Sequence, residues 1–148
     1  MKVYAEQVCN PKCIEIFKQI KQLIDSVDTF PVPAEHDVSC HELCYAIKEI
    51  YPTQLRIETG YFLPRFKHSW LRTLPQGEPT PYDNLIDVYP VGMIGGPMLI
   101  ENTIVRSFRD SGLYEVKAIP NLNFSDKEFQ NIVRIIRHTL VQKSSGRM

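Results

Sequence analysis

The chain has 148 residues, 43% of them hydrophobic and 23% charged, and its 17 basic side chains balance its 17 acidic ones. That length suffices for one domain with a core that needs no metal or disulfide staples, so a single domain is expected over 1–148, with 143–148 as a frayed tail. The cancelled charge leaves no global footprint for nucleic acid, and no apolar run approaches the ~20 residues of a membrane helix, so neither is expected as a partner.

The first seven residues lack the long apolar stretch of a secretory signal. The protein is therefore expected to be cytoplasmic where it is made, although delivery by a dedicated secretion machine would leave no mark on the sequence. The first helix is expected over 10–27. Asn10 can cap it, Pro11 suits its first position, and Ile14, Phe17, Ile20, Leu23, Ile24 and Val27 recur at helical spacing. Phe30-Pro31-Val32-Pro33 then forces an extended connector.

A second helix should start near Asp37 or Ser39 and end at about Ile50, before Tyr51-Pro52. Ser39 and Glu42 have the spacing of a capping box, and Leu43, Ala46, Ile47 and Ile50 form the buried stripe. Beyond Pro52 the period shortens to two. Strands are expected at 54–63, with Leu55 and Ile57 inward, and at 66–73, with His68 and Trp70 on one face. A third at 84–89 follows a Pro/Gly-rich loop, which suggests an antiparallel meander.

Residues 90–97, rich in glycine and proline, form either a cleft wall or a buried connector. Weaker strands are expected at 98–108 and 113–119, around a turn at 109–112. A last helix at about 125–140 is capped by Ser125, with Phe129, Ile132, Val133, Ile136 and Leu140 as its apolar stripe. The expected architecture is α+β, with N-terminal helices packed on an antiparallel sheet.

Cys40 falls in the first turn of the second helix, where unpaired amides and the positive end of the helix dipole favour negative charge on sulfur. Cys44, a turn further in, is the better core residue. His68 follows Cys40 by 28 residues and Asp87 follows His68 by 19. These gaps let Asp87 lie beside His68 on a neighbouring strand. A thiol at a helix start, an imidazole and a carboxylate in that order supply a nucleophile, its base and the group that orients the base. The Cys40 amide is the natural oxyanion donor, while Tyr45, Tyr61 and His36 are unranked candidates for a second. His41 and His36 flank the cysteine as competing bases, but His41 should point about 100° away from Cys40 around the helix. His138 reads as a surface residue.

The series Ser39-Cys40-His41-Glu42, Gly60-Tyr61-Phe62, His68-Ser69-Trp70 and Ile86-Asp87-Val88-Tyr89-Pro90 resembles the papain-like cysteine hydrolases, and the transglutaminase-like branch in particular. There a helix-initiating cysteine is followed by a His-x-Trp strand and then by a strand bearing an Asp. The resemblance spans about residues 37–90, and Val38-Ser39 stand where the branch often has Gly-Asp or Gly-Asn. It implies a papain-like/transglutaminase-like core, with Cys40 as nucleophile, His68 as base and Asp87 as orienter. It also implies acyl transfer through a thioester without cofactor or metal, on a protein or peptide substrate, as an amidase, deamidase, protease or transglutaminase. Trp70, Tyr89, Gly95 and Gly96 are the candidate cleft residues.

Two other readings stand beside this one. An inactive relative would keep the fold as a protein-binding module, with 90–97 as its contact surface. A zinc-stabilised domain would use Cys9, Cys13, Cys40 and Cys44, which form two pairs with the same spacing. The oligomeric state is not legible in the sequence.

Overall fold

The computed structural model describes residues 2–4, 11–62, 66–74, 84–88, 97–100 and 114–145. Helix α1 (Pro11–Asp25) buries Cys13, Ile16, Phe17, Ile20 and Leu23 along one side. Its wet side carries a Lys21–Asp25 pair at 2.6 Å, one turn apart. Helix α2 (Cys40–Ile50) begins where the capping box was expected. Ser39 Oγ accepts the Glu42 N–H at 3.2 Å, and Glu42 Oε1 accepts the Ser39 N–H at 2.9 Å. Two of the amides that a helix start leaves without partners are thereby satisfied.

Helix α3 (Lys127–Ser145) differs from expectation at both ends. Its cap is Asp126, whose carboxylate accepts the Phe129 N–H at 3.1 Å, while Ser125 donates its own N–H to Asn123 at 2.9 Å. A carboxylate at the positive helix end competes well with a hydroxyl one position earlier. The helix also runs through Lys143–Ser145, where fraying was expected. Ile132, Val133, Ile136 and Leu140 are buried, and α3 packs against both α1 and α2.

The sheet has six strands: β1 (Lys2–Tyr4), β2 (Leu55–Phe62), β3 (Phe66–Thr73), β4 (Leu85–Asp87), β5 (Met98–Ile100) and β6 (Tyr114–Val116), in the spatial order β1-β5-β4-β3-β2-β6. Strands β2 to β5 form the expected antiparallel meander. β6 returns to pair antiparallel with the free side of β2. β1 pairs in parallel with β5, so the sheet is not purely antiparallel. A three-residue strand carries too little alternation to be read in advance. The Asn10 cap, the loop at 90–96, the strand continuation at 101–108 and the turn at 109–112 lie outside the described residues.

The paired row Ile57, Leu71, Ile86 and Leu99 crosses four strands. It packs in one cluster with Phe17 and Ile20 of α1, Leu43, Cys44, Ala46 and Ile47 of α2, and Ile132, Val133, Ile136 and Leu140 of α3. Each fully buried side chain of this size contributes about 1.5–3 kcal/mol relative to exposure. The chain is thus an α+β protein, with helices layered on a mainly antiparallel sheet. Among the described residues no helix is long and apolar enough to cross a membrane.

Candidate active site

Alternation along β3 divides its side chains between two sides. Ser69 and Leu71 turn toward α2, where Ser69 meets His41 and Leu71 joins the core. His68 and Trp70 turn the other way and are fully buried. Continuing the pairs Leu71↔Ile86 and Arg72↔Leu85 sets Asp87 across from Trp70 and diagonal to His68, a separation that a histidine side chain can span.

His68 Nε2 lies 2.9 and 3.0 Å from the two carboxylate oxygens of Asp87, and both residues are fully buried. A third contact reaches the same carboxylate, because the Tyr114 hydroxyl donates to Asp87 Oδ2 at 2.6 Å. Since a carboxylate only accepts, His68 Nε2 must carry its proton in this arrangement. In the neutral form of the ring Nδ1 is then a bare lone pair, and in the charged form it carries the second proton. That atom is buried and has no hydrogen-bond partner.

The Cys40 thiol stands beside this imidazole, close enough to influence its charge although Nδ1 closes no regular hydrogen bond. Such contacts are often loose before substrate binds. Burial alone would discourage a charged ring. The hydrogen bond to Asp87 and the neighbouring Cys40 outweigh it and carry the His68 pKa up to about 9. Cys40 itself is partly exposed, whereas His68 and Asp87 are not. Cys40 is therefore the one residue of the three that is not fully enclosed.

Aromatic rings enclose the imidazole. Phe62, Trp70 and Tyr114 have ring centroids 6.0, 5.9 and 6.4 Å from it, and Trp70 and Tyr114 pack edge-on at 5.1 Å. The Trp70 indole donates to Glu58 at 2.7 Å, and Glu58 also receives Arg56 and Arg72 at 3.0 and 3.3 Å. Trp70 thus supports the imidazole from within the fold and offers no exposed face.

Among the described residues His36, His41, Cys44 and Cys13 have partners of their own. His36 Nε2 pairs with Glu42 Oε1 at 2.9 Å, and His41 Nδ1 pairs with Ser69 Oγ at 2.5 Å. Burial and the charge of His68 hold the His41 pKa below the ordinary value. Cys44 donates to the Ser69 carbonyl at 3.4 Å, and burial keeps its thiol protonated well beyond the usual range. Tyr45 packs against Phe124 and Phe129, and Tyr61 lies under Lys117. His138 is exposed.

Cys13 is buried on α1 and meets Thr73 at 3.5 Å. Among the described residues no three Cys, His, Asp or Glu side chains are grouped to hold a metal. Cys9, Tyr89, Gly95 and Gly96 lie outside the described residues.

Of the three side chains singled out from the sequence, the fold bonds His68 to Asp87 and lets Cys40 act on the charge of His68, while Tyr114 and Glu58 were not singled out. Gly60 held a usable signal, since a glycine within a strand pattern marks close backbone approach. A Cβ there would sit 1.8 Å from the Glu115 carbonyl oxygen of β6. Gly60 thus lets β6 dock on β2 and carries Tyr114 to Asp87.

No family model, curated protein or solved structure matches this chain.

Proposed function

We propose that the protein is a cysteine-dependent acyl-transfer enzyme, of the class that its papain-like/transglutaminase-like motifs suggested. Cys40 is its nucleophile, His68 its base and Asp87 the group that orients the base. One observation carries this reading. A buried imidazole is bonded through Nε2 to a buried carboxylate and keeps Nδ1 unbonded, while Cys40, a partly exposed residue, is near enough to raise the charge of the ring.

The chemistry follows from this arrangement. The thiol proton passes to His68 Nδ1, and the sulfur attacks the carbonyl carbon of an amide, ester or thioester. The first bond of α2 runs from Leu43 N–H to Ser39 C=O, and Ser39 Oγ takes Glu42 N–H. The Cys40 and His41 amides have no acceptor within the helix, so they can face the developing oxyanion. The imidazolium returns its proton to the leaving amine, alcohol or thiol as the tetrahedral intermediate collapses to a thioester on Cys40. Water or an amine then attacks that thioester, with His68 again taking the proton, and the acid or new amide is released. A protein or peptide carbonyl is the expected substrate class.

A chromogenic acetate ester tests this without knowledge of the natural substrate. The expected result is release of one equivalent of phenol in a burst, with an acetyl adduct located on Cys40 by peptide mass spectrometry. His68→Ala should abolish the burst. Acetylation spread over lysines, or unchanged in Cys40→Ala, would remove the proposal and favour a binding module.

A further inference from the structure

Two of the described hydrogen bonds between α2 and β3 converge on one residue. His41 Nδ1 lies 2.5 Å from Ser69 Oγ, and Cys44 Sγ donates to the Ser69 carbonyl at 3.4 Å. His41 directly follows Cys40, and Ser69 directly follows His68. The neighbour of the thiol is therefore bonded to the neighbour of the imidazole. Ser69 is fully buried, and its strand is flanked by β2 and β4, so it is a fixed point.

We infer that Ser69 is a positioning residue for the proposed site: through its hydroxyl to His41 and its carbonyl to Cys44, it sets the distance between the Cys40 sulfur and the His68 ring. The inference rests on the acyl-transfer reading and names a part that reading does not supply. Cys40 occupies the first position of its helix, where ends fray. The Ser39–Glu42 capping box ties that turn to itself and not to the sheet. Asp87 and Tyr114 fix only the imidazole. What remains is to hold the helix start against β3, and Ser69 makes two of the described links that do so. Misplacement by about 1 Å in such a site costs up to roughly a hundredfold in rate.

The test compares iodoacetamide alkylation of Cys40, located by peptide mass spectrometry, at pH 6 and pH 9 in the full-length chain. In the wild type, labelling at pH 6 should be fast and should depend on His68. Ser69→Ala and His41→Ala should each slow it about tenfold at pH 6 and leave the rate at pH 9 near that of the wild type, because bulk hydroxide then does the work of the ring. Ser69→Thr and His41→Asn, which keep a polar atom near the lost one, should restore the rate at pH 6.

Should Ser69→Ala fail to fold, His41→Ala reads the same link from the helix side. Wild-type rates at pH 6 in both alanine variants would overturn the inference while leaving the acyl-transfer reading intact. Equal loss at both pH values together with lost cooperative unfolding would assign Ser69 a packing role and also overturn it. Slow, His68-independent labelling in the wild type would remove the acyl-transfer reading, and the inference with it.

Discussion

At the scale of single residues, the division of labour around His68 follows from which atoms are committed. Asp87 binds Nε2–H and so fixes the tautomer that leaves Nδ1 bare, and Tyr114 holds the carboxylate from its other side. Asp87→Asn keeps the size but presents an amide that can donate where only an acceptor fits, so the ring is free to turn or change tautomer. The expected outcome is a loss of about 10²–10⁴ in kcat toward the acetate ester with little change in KM. Tyr114→Phe should cost about tenfold, since it removes a support of the orienting group and not the group itself. Steady-state kinetics of the two variants decide the order. Equal losses would mean that Asp87 places the ring only while Tyr114 holds it.

Secondary-structure elements place these atoms, and Gly60 is where that placement is tightest. β6 can lie against β2 only because residue 60 has no Cβ to meet the Glu115 carbonyl. Gly60→Ala should push β6 outward, free Tyr114 from Asp87 and destabilise the fold by about 1–3 kcal/mol, the usual cost of forcing atoms into a packed place. Urea unfolding measures the stability, and ester turnover measures the site. Turnover should fall at least as far as in Tyr114→Phe, and wild-type turnover would show that β6 does not act through Tyr114.

The same scale shows what the sequence made legible. The helices and the long β2–β3 pair were readable because the stripes of α1 and α3 and the Ser39–Glu42 box are periodic or local. Cys40, His68 and Asp87 were readable because each sits at a predictable place on such an element. β6 falls within the strand expected at 113–119, but β1, the pairing of β6 with β2 and the place of Tyr114 were not legible, because they depend on partners far along the chain. Ser125 lost the cap to Asp126 on chemistry that two adjacent candidates leave open. The local sequence sets only the angle of His41 from Cys40, and its bond to Ser69 depends on how α2 lies against β3.

For the whole molecule, two histidines give stability a pH optimum. The pKa of His68 is raised in the fold, so its contribution is fully present below about 6.5 and is lost as pH rises through about 9. That of His41 is lowered, so the folded form binds fewer protons than the unfolded one just below 6.5, and stability falls as the solution is acidified. Cys44 is raised and steepens the alkaline decline once the unfolded thiol ionises. Urea midpoints should therefore peak near pH 6.5. In Asp87→Asn the decline between pH 6.5 and 9 should flatten, because the main support of the charged ring is gone. A midpoint that climbs steadily to pH 9 would contradict the assignment of His68.

In the proposed site the thiol proton rests on the buried His68 ring, which the Asp87 carboxylate and the thiolate left on Cys40 together keep charged. Titrating the His68 ring by NMR, with its signal identified by loss in His68→Ala, tests that claim most directly. The expected result is a midpoint near 9 in the wild type, falling toward the ordinary value both in Asp87→Asn and in Cys40→Ala. A midpoint at or below about 6.5 in the wild type, or one that ignores the loss of Cys40, would contradict it.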